Sequence, residues 1–293
     1  MKILNFGSLN LDMVYAVPHF VRGGETISSL SFQKNVGGKG LNQSVALKRG
    51  GADVFHAGLI GADGIILKEF LDSYGVNTRY VRTIDVPSGH AVIQVEPEGD
   101  NCIFLYGGAN QCVTEEFIEE ALAGFEAGDL LILQNEINGI EAIIRAASER
   151  GMQVALNPSP ADEKIDALPL DRVSWFILNE TEGAYLSGVA EPEAMLDSLL
   201  KKYPNAKFVL TLGGNGSIYA DGKRRVRQRA YRAEAVDTTG AGDTFTGFFF
   251  AAISNGASIG EALNRASMAA AISVTRPGAA ASIPELSEVL NRL

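Results

Sequence analysis

Short apolar runs alternate along this chain with stretches whose apolar positions recur at helical spacing. Ile3 to Phe6 reads as a short buried strand. Leu41 to Arg49 reads as a helix closed by Gly50-Gly51, and Asp53 to Ile60 returns as a strand. Over Ile65 to Tyr74, the residues Leu67, Phe70, Leu71 and Tyr74 share one helical face, which Gly75 ends. Thr114 precedes Glu115, Glu116 and Phe117, the order of an N-cap followed by acids in a first turn. A strand Leu130–Gln134, a helix Ile140–Arg150 and a strand Val154–Asn157 follow. Trp175–Leu178 and Phe208–Leu212 are continuous apolar runs, as parallel strands covered on both faces require. The end of the chain reads as helices over Thr244–Ser254, Ile259–Thr275 and Pro284–Leu293. Repeated strand-then-helix order predicts an α/β fold, three layers deep, around a doubly wound and mostly parallel sheet.

Two stretches break that rhythm. Residues 12–36 hold no clear helix. Residues 89–106 read as a hairpin, with strands Ala91–Glu96 and Asn101–Tyr106 about the turn Pro97-Glu98-Gly99-Asp100. Both predict strands of a small separate sheet inserted into one domain spanning residues 1–293. No linker, internal repeat or low-complexity segment divides the chain.

Composition narrows the function. With 46% hydrophobic and 20% charged residues, the chain can bury a full core and is not a disordered polymer. Its 25 basic and 35 acidic residues give a net charge of −10, which opposes non-specific nucleic-acid binding. Cys102 and Cys112 are too few for a disulfide framework and suit a reducing compartment, so the expected location is the cytoplasm. Both read as packing residues, as free cysteines usually are. The first residues, MKILNFGSLNLD, read as a short strand with polar residues inside it, and neither a signal peptide nor a membrane span is expected there. His19, His56 and His90 lack ligand spacing, so no zinc site is implied. The 32 glycines make up about 11% of the chain, against roughly 7% in ordinary proteins, and predict turns and close backbone approaches.

The glycine clusters fail two familiar tests. Around Gly38-Lys39, Gly40 stands where a P-loop needs Ser or Thr, and Gln33 stands where it needs its first Gly. Gly240-Ala241-Gly242-Asp243-Thr244-Phe245 has Phe where a dinucleotide fingerprint needs its third Gly, and it lies late in the chain. What remains is an anion site. Small residues at 240–242 leave backbone N–H groups open at the start of an apolar helix. A carboxylate at Asp243 could take a proton from an attacking hydroxyl while those N–H groups stabilise a transferring phosphoryl group. The residue types alone equally allow Asp243 to be an N-cap and the glycines a tight turn.

The full string Val236-Asp237-Thr238-Thr239-Gly240-Ala241-Gly242-Asp243-Thr244-Phe245 closely resembles the carboxy-terminal signature of the ribokinase-like (phosphofructokinase-B type) family of sugar kinases. Gly37-Gly38-Lys39-Gly40-Leu41-Asn42-Gln43 resembles the family's amino-terminal signature in its ribokinase form. Gly7 to Asp12, Asn157 to Ala161, Asn179 to Glu182, Thr211 to Gly216 and Val274 to Ala279 fall in the family's order and spacing. The resemblance covers residue 3 to about 284.

This resemblance implies an ATP-dependent kinase acting on a primary hydroxyl of a small sugar, with D-ribose at O5 as the expected acceptor. Fructokinase, nucleoside kinase and deoxysugar kinase are the alternatives within the family, and a catalytically silent sugar sensor is one outside it. It implies Asp243 as the base, with Gly240, Ala241 and Gly242 as the anion hole. Asn10, Asp12, Gly38, Lys39, Asn42 and Glu136 match sugar-holding positions. Asn179 and Glu182 match the motif that organises phosphate and magnesium, Glu182 through water. Thr211, Gly213, Gly214, Gly216 and Ser267 match nucleotide-binding positions. Asp237, Thr239, Ser273, Arg276, Gly278 and Ser282 align with a monovalent-cation site, expected to take K+. The inserted strands would form a lid over the sugar and could pair two chains into a homodimer. Alone, Asp12 could be a solvated strand end, Lys39 an exposed lysine, and Asn179 to Glu182 a helix start with favourable acids.

Three features depart from the pattern. Ser267 stands where many relatives carry His or Asn. Leu41 and Ser44 replace two alanines of the ribokinase-type motif, which leaves the sugar less defined. Residues 223–232 hold six basic side chains, with Arg225, Arg227 and Arg229 alternating as on one face of a strand. The rest of the chain carries 19 basic against 35 acidic residues, which opposes a nucleic-acid patch.

Overall fold

The computed structural model describes residues 1–293. The chain begins with β1 (Ile3–Phe6), buried throughout, and leaves the core through β2 (Asn10–Ala16) and β3 (Ser31–Gly37). It returns by α1 (Lys39–Arg49), β4 (Val54–Ile60), α2 (Ile65–Ser73) and β5 (Asn77–Thr83). A second excursion forms β6 (Gly89–Val95) and β7 (Asn101–Tyr106). Next come α3 (Glu115–Leu122), β8 (Leu130–Gln134), α4 (Ile140–Glu149), β9 (Gln153–Asn157) and β10 (Trp175–Asn179). Then follow α5 (Glu180–Ser187), α6 (Pro192–Lys202), β11 (Lys207–Thr211), β12 (Ser217–Ala220) and β13 (Arg225–Gln228). The chain ends with α7 (Ala241–Ser254), α8 (Ile259–Ser273) and α9 (Leu286–Leu290).

Nine strands form one sheet in the order β13-β12-β11-β10-β9-β8-β1-β4-β5, with β12 alone running against the rest, so that the two pairings at that edge are antiparallel. The two excursions pair into a second sheet, β3-β2-β6-β7. Successive residues of the parallel strands feed opposite faces: Leu4 and Phe6 enter one apolar core, while Ile3 enters the other. These cores hold 38 and 37 buried residues, so the sheet is the middle of three balanced layers. Strand order reverses at β1, with β8 on one side and β4 on the other. In doubly wound sheets the ligand cleft opens at the carboxyl ends of the strands beside such a point. The small sheet departs from that same end, directly after β1.

Helices α1 and α7 lie in backbone contact. A methyl group on Gly247 would come within 2.3 Å of Ala46 Cβ and 2.7 Å of the Leu47 nitrogen, so only glycine allows this approach. The contact matters because both helices start at the cleft and carry Asn42, Gln43 and Asp243 there.

Several boundaries differ from the sequence reading for local reasons. Helix α7 starts at Ala241 rather than Thr244, because Gly240 takes φ +74° as its N-cap and releases the Gly-Ala-Gly run into the helix. Helix α8 stops at Ser273, and the last helix is only Leu286–Leu290. Strand β5 carries no continuous apolar run, because polar residues alternate along it at a sheet edge, where they face water. Arg225 and Arg227 do share a face of β13, but Arg229 lies beyond the strand. Cys112 packs against a core, whereas Cys102 is exposed on β7 and packs nothing.

Candidate active site

Asp243 is the third residue of α7, and its side chain does not cap the helix; Gly240 is the N-cap. Its carboxylate points across to α1, where Oδ2 accepts from Asn42 Nδ2 at 3.0 Å and Oδ1 accepts from Gln43 Nε2 at 2.9 Å. The side chain is only 7% exposed. Two amide donors, one on each oxygen, fix the direction in which this carboxylate points. Thr244 N bonds to the Gly240 carbonyl and Ala241 N to Thr238, but the N–H groups of Gly242 and Asp243 meet no carbonyl. A buried carboxylate and open N–H groups thus occupy one helix start, and Gly240 rather than Asp243 is the N-cap.

Acidic and basic groups gather around Asp243. Lys39 opens α1, and its backbone N–H donates to Glu136 Oε2 at 3.2 Å. Burial pulls the Lys39 pKa down, but the charges of Asp243, Glu136 and Glu182 outweigh it and raise it overall, so the ammonium stays charged. Burial pushes Glu136 up, against the pull of Lys39 and a hydrogen bond from the Ser8 hydroxyl. Asp12, on β2, lies so close over Gly37 that a Cβ there would overlap Oδ2. Burial and then the Glu136 charge raise its pKa from 3.8 to about 6. Asn42 Oδ1 is buried with no hydrogen-bond partner, an exception among buried acceptors. Gly38 is the N-cap of α1. Asn10 sits at the start of β2, its Oδ1 accepting from Asn110 Nδ2 at 2.7 Å.

Two cavities meet at Thr211 and Gly242. One, of about 230 Å³, is lined by Lys39, Asn157, Ser159, Asn179, Glu182, Gly240 and Asp243 among others. The other, of about 380 Å³, is mostly apolar and runs along Gly213, Gly214, Gly216, Tyr231, Ala241 and Ser267. Glycines and alanines make up much of the wall of this slot, with Tyr231 and Phe245 as its large side chains. Asn179 and Glu182 form a capping box for α5: Glu182 N donates to Asn179 Oδ1, and Asn179 N donates to Glu182 Oε2, both at 2.9 Å. The helix-start reading of this motif is therefore correct as far as it goes. Glu182 also lines the smaller cavity, where burial raises its pKa against its hydrogen bonds and Lys39.

Below the slot, Asp237 ties two loops together. Its Oδ1 accepts from Thr239 N and its Oδ2 from Gly278 N, each at 2.9 Å. Burial opposes ionisation there, but these hydrogen bonds win and lower its pKa. Ser273 and Ser282 are buried beside them, and each hydroxyl donates to a carbonyl within its own turn. Arg276 pairs with Glu288 instead of pointing into the loops. In the basic run, Arg225 and Arg227 pair with Glu193, and Arg225 also with Asp197, so these charges are spent on α6.

Residues 1–286 match the family described as pfkB family carbohydrate kinase. The chain belongs to this family. Its members are phosphotransferases acting on an alcohol group, and ATP is the co-substrate. The kinase is 36% identical over 297 aligned residues to the ribokinase of Haemophilus influenzae, covering 98% of this chain and 96% of that one. It is 32% identical to a deoxyribokinase of Salmonella typhi, covering 98% and 97%. The Arabidopsis thaliana ribokinase solved with ribose and ATP superposes with a TM-score of 0.88 at 31% identity, covering 99% of this chain and 97% of that one.

The site of this kinase contains groups that sequence reasoning left without a role. Gln43, Ser8 and Asn157 stand inside the quoted motifs, yet only the fold shows what they touch. Asn110 had no signal at all. It is buried, accepts from Leu9 N at 3.0 Å and donates to Asn10, and so pins the point where the chain leaves β1 for the small sheet.

Proposed function

We propose that this kinase transfers the γ-phosphoryl group of ATP to O5 of D-ribose, with Asp243 as general base. The observation that carries this reading is the meeting, at one helix start, of a buried carboxylate and two open N–H groups between two joined cavities. Asp243 takes the proton of the attacking hydroxyl, and the N–H groups of Gly242 and Asp243 receive charge on the transferring phosphoryl group. Phosphoryl transfer asks chiefly for alignment and charge neutralisation, and this arrangement supplies both. The Asn42 Oδ1 acceptor, the Asp12 and Glu136 carboxylates, Gly38, Asn10 and the Lys39 ammonium hold the sugar's remaining hydroxyls. The apolar slot takes the adenine ring, and Ser267 offers it a small hydroxyl in place of a larger side chain.

Magnesium fits the smaller cavity as an ion held by phosphate oxygens and water. Glu182 is the carboxylate for it, and its capping bonds leave room for a water-mediated contact. Bound there, the ion would neutralise phosphate charge. The loops joined by Asp237 suit a potassium ion held mainly by carbonyls, with Thr239, Ser273, Arg276, Gly278 and Ser282 supplying the ring. The whole chain works as one catalytic domain. Its small sheet acts as a lid that excludes water from the sugar. The outer strand β7 exposes all six residues, and Phe32 on β3 is 52% exposed. Such apolar surface supports pairing of two lids in a homodimer. An exposed, unpaired thiol at Cys102 supports a cytoplasmic setting.

A substrate panel with coupled detection of ADP tests the acceptor. D-ribose is expected to give the highest kcat/KM, with deoxyribose next and fructose and adenosine far below. Fast turnover of fructose or adenosine with ribose inert would remove ribose. Sugar binding without turnover of any acceptor would favour the sensor.

A further inference from the structure

Gln43 has no free polar atom and no exposure, yet it touches three parts of the site. Its Nε2 donates to Asp243 Oδ1 at 2.9 Å and to Asn157 Oδ1 at 3.2 Å, and its Oε1 accepts from Gln134 Nε2 at 2.8 Å. Gln134, at the end of β8, also donates to Asn5 Oδ1 at 2.9 Å. Asn5, in β1, donates to the Gly40 carbonyl at 2.7 Å and to Ser44 Oγ at 2.8 Å. Asn157 passes the chain onward to the Ile177 carbonyl at 2.9 Å and to Glu182 Oε2 at 3.5 Å. The links that join Asp243 to the strands run through amide groups, which neither gain nor lose protons near neutral pH. Each amide can donate and accept in one sense only once its partners are set.

We propose that Gln43 is a positioning residue for Asp243, a strut that fixes the carboxylate to the ends of β1 and β8 and couples it to Glu182 through Asn157. It differs from Asn42, its neighbour, whose Oδ1 has no hydrogen-bond partner. Gln43 can offer a sugar nothing. Without the strut, Asp243 keeps its Asn42 bond but can rotate about its side-chain torsions, which degrades the geometry of proton transfer more than substrate binding.

This inference rests on Asp243 being the base, and the test separates the two. Wild type, Asp243→Asn, Gln43→Leu, Gln134→Leu and the double Gln43→Leu/Gln134→Leu are compared. The acceptor is D-ribose, or whichever panel sugar turns over fastest. Each protein is measured for Tm, sugar Kd by calorimetry and kcat by ADP release. Gln43→Leu is expected to lower kcat roughly 10- to 100-fold, the range for losing a hydrogen bond to a charged group, and to leave the sugar Kd within about twofold. Gln134→Leu is expected to lower kcat less, and the double variant to be no slower than Gln43→Leu alone. An unchanged kcat, or a sugar Kd that worsens as much as kcat, overturns the proposal. Should Gln43→Leu fail to fold, Gln134→Leu decides: it must lower kcat with the sugar Kd retained, and an unchanged kcat overturns the strut. If Asp243→Asn keeps its turnover, the base itself falls and the strut with it.

Discussion

Asp243→Asn is expected to lose roughly 10²- to 10⁴-fold in kcat, the range of a general base, while still binding sugar. The carboxylate is buried and meets only donors, Asn42 Nδ2 and Gln43 Nε2. An asparagine there has one acceptor and one amino group, so one of its two ends must confront a donor. One of the two bonds is therefore lost, and the group cannot take a proton. The other carboxylates near the cleft do not replace it: Glu136 is engaged by Ser8 and the Lys39 backbone, and Glu182 by the Asn179 box. Calorimetry against the sugar, beside a turnover assay, separates loss of chemistry from loss of binding. Wild-type turnover in the variant would remove Asp243 as the base.

Asp12→Asn is expected to weaken sugar affinity roughly 10- to 100-fold, the range for a lost hydrogen bond to a charged group, and yet to stabilise the free protein at alkaline pH. Burial and the Glu136 charge raise the Asp12 pKa to about 6, from 3.8 when unfolded. Between those values the folded state holds the extra proton, so its stability falls as pH rises through the window and stays lowered above it. Asparagine carries no such penalty. The variant should therefore melt higher than wild type at pH 8, and the two should melt alike at pH 4, where Asp12 is largely protonated when folded. The same shift predicts that wild-type KM for the sugar rises as pH drops below about 6, because a neutral carboxyl accepts hydroxyl protons poorly. A melting-temperature series and KM across pH check both. A variant less stable at pH 8 would contradict the assigned strain.

How much of this was legible in the chain varies by physical cause. Continuous apolar runs such as Leu130–Leu133 and Trp175–Leu178 announce the parallel strands, because burial on both faces leaves no polar position to confuse the reading. Edge elements were harder. Strand β5 carries Arg79 and Arg82 beside buried Tyr80 and Val81, and α6 carries Lys201 and Lys202 behind buried Leu196 and Leu199. The residues of the site at Asp243, Lys39 and Asn42 stood in recognisable strings. Their supports are legible only in the fold: Gln134 and Asn157 reach Gln43 from β8 and β9, Asn5 joins through Gln134 from β1, and nothing in sequence spacing encodes that convergence. Asn110 illustrates the same limit: it acts on Leu9 and Asn10 from about a hundred residues away.

The most direct test is the structure of the product. The purified protein is incubated with ATP, magnesium and uniformly ¹³C-labelled D-ribose, and the mixture is followed by ¹³C and ³¹P NMR. The account predicts one ADP for each sugar phosphorylated, and a phosphorus coupling on C5 that depends on an intact Asp243. Phosphate on C1, or ribose left unchanged while ATP is stable, would contradict it.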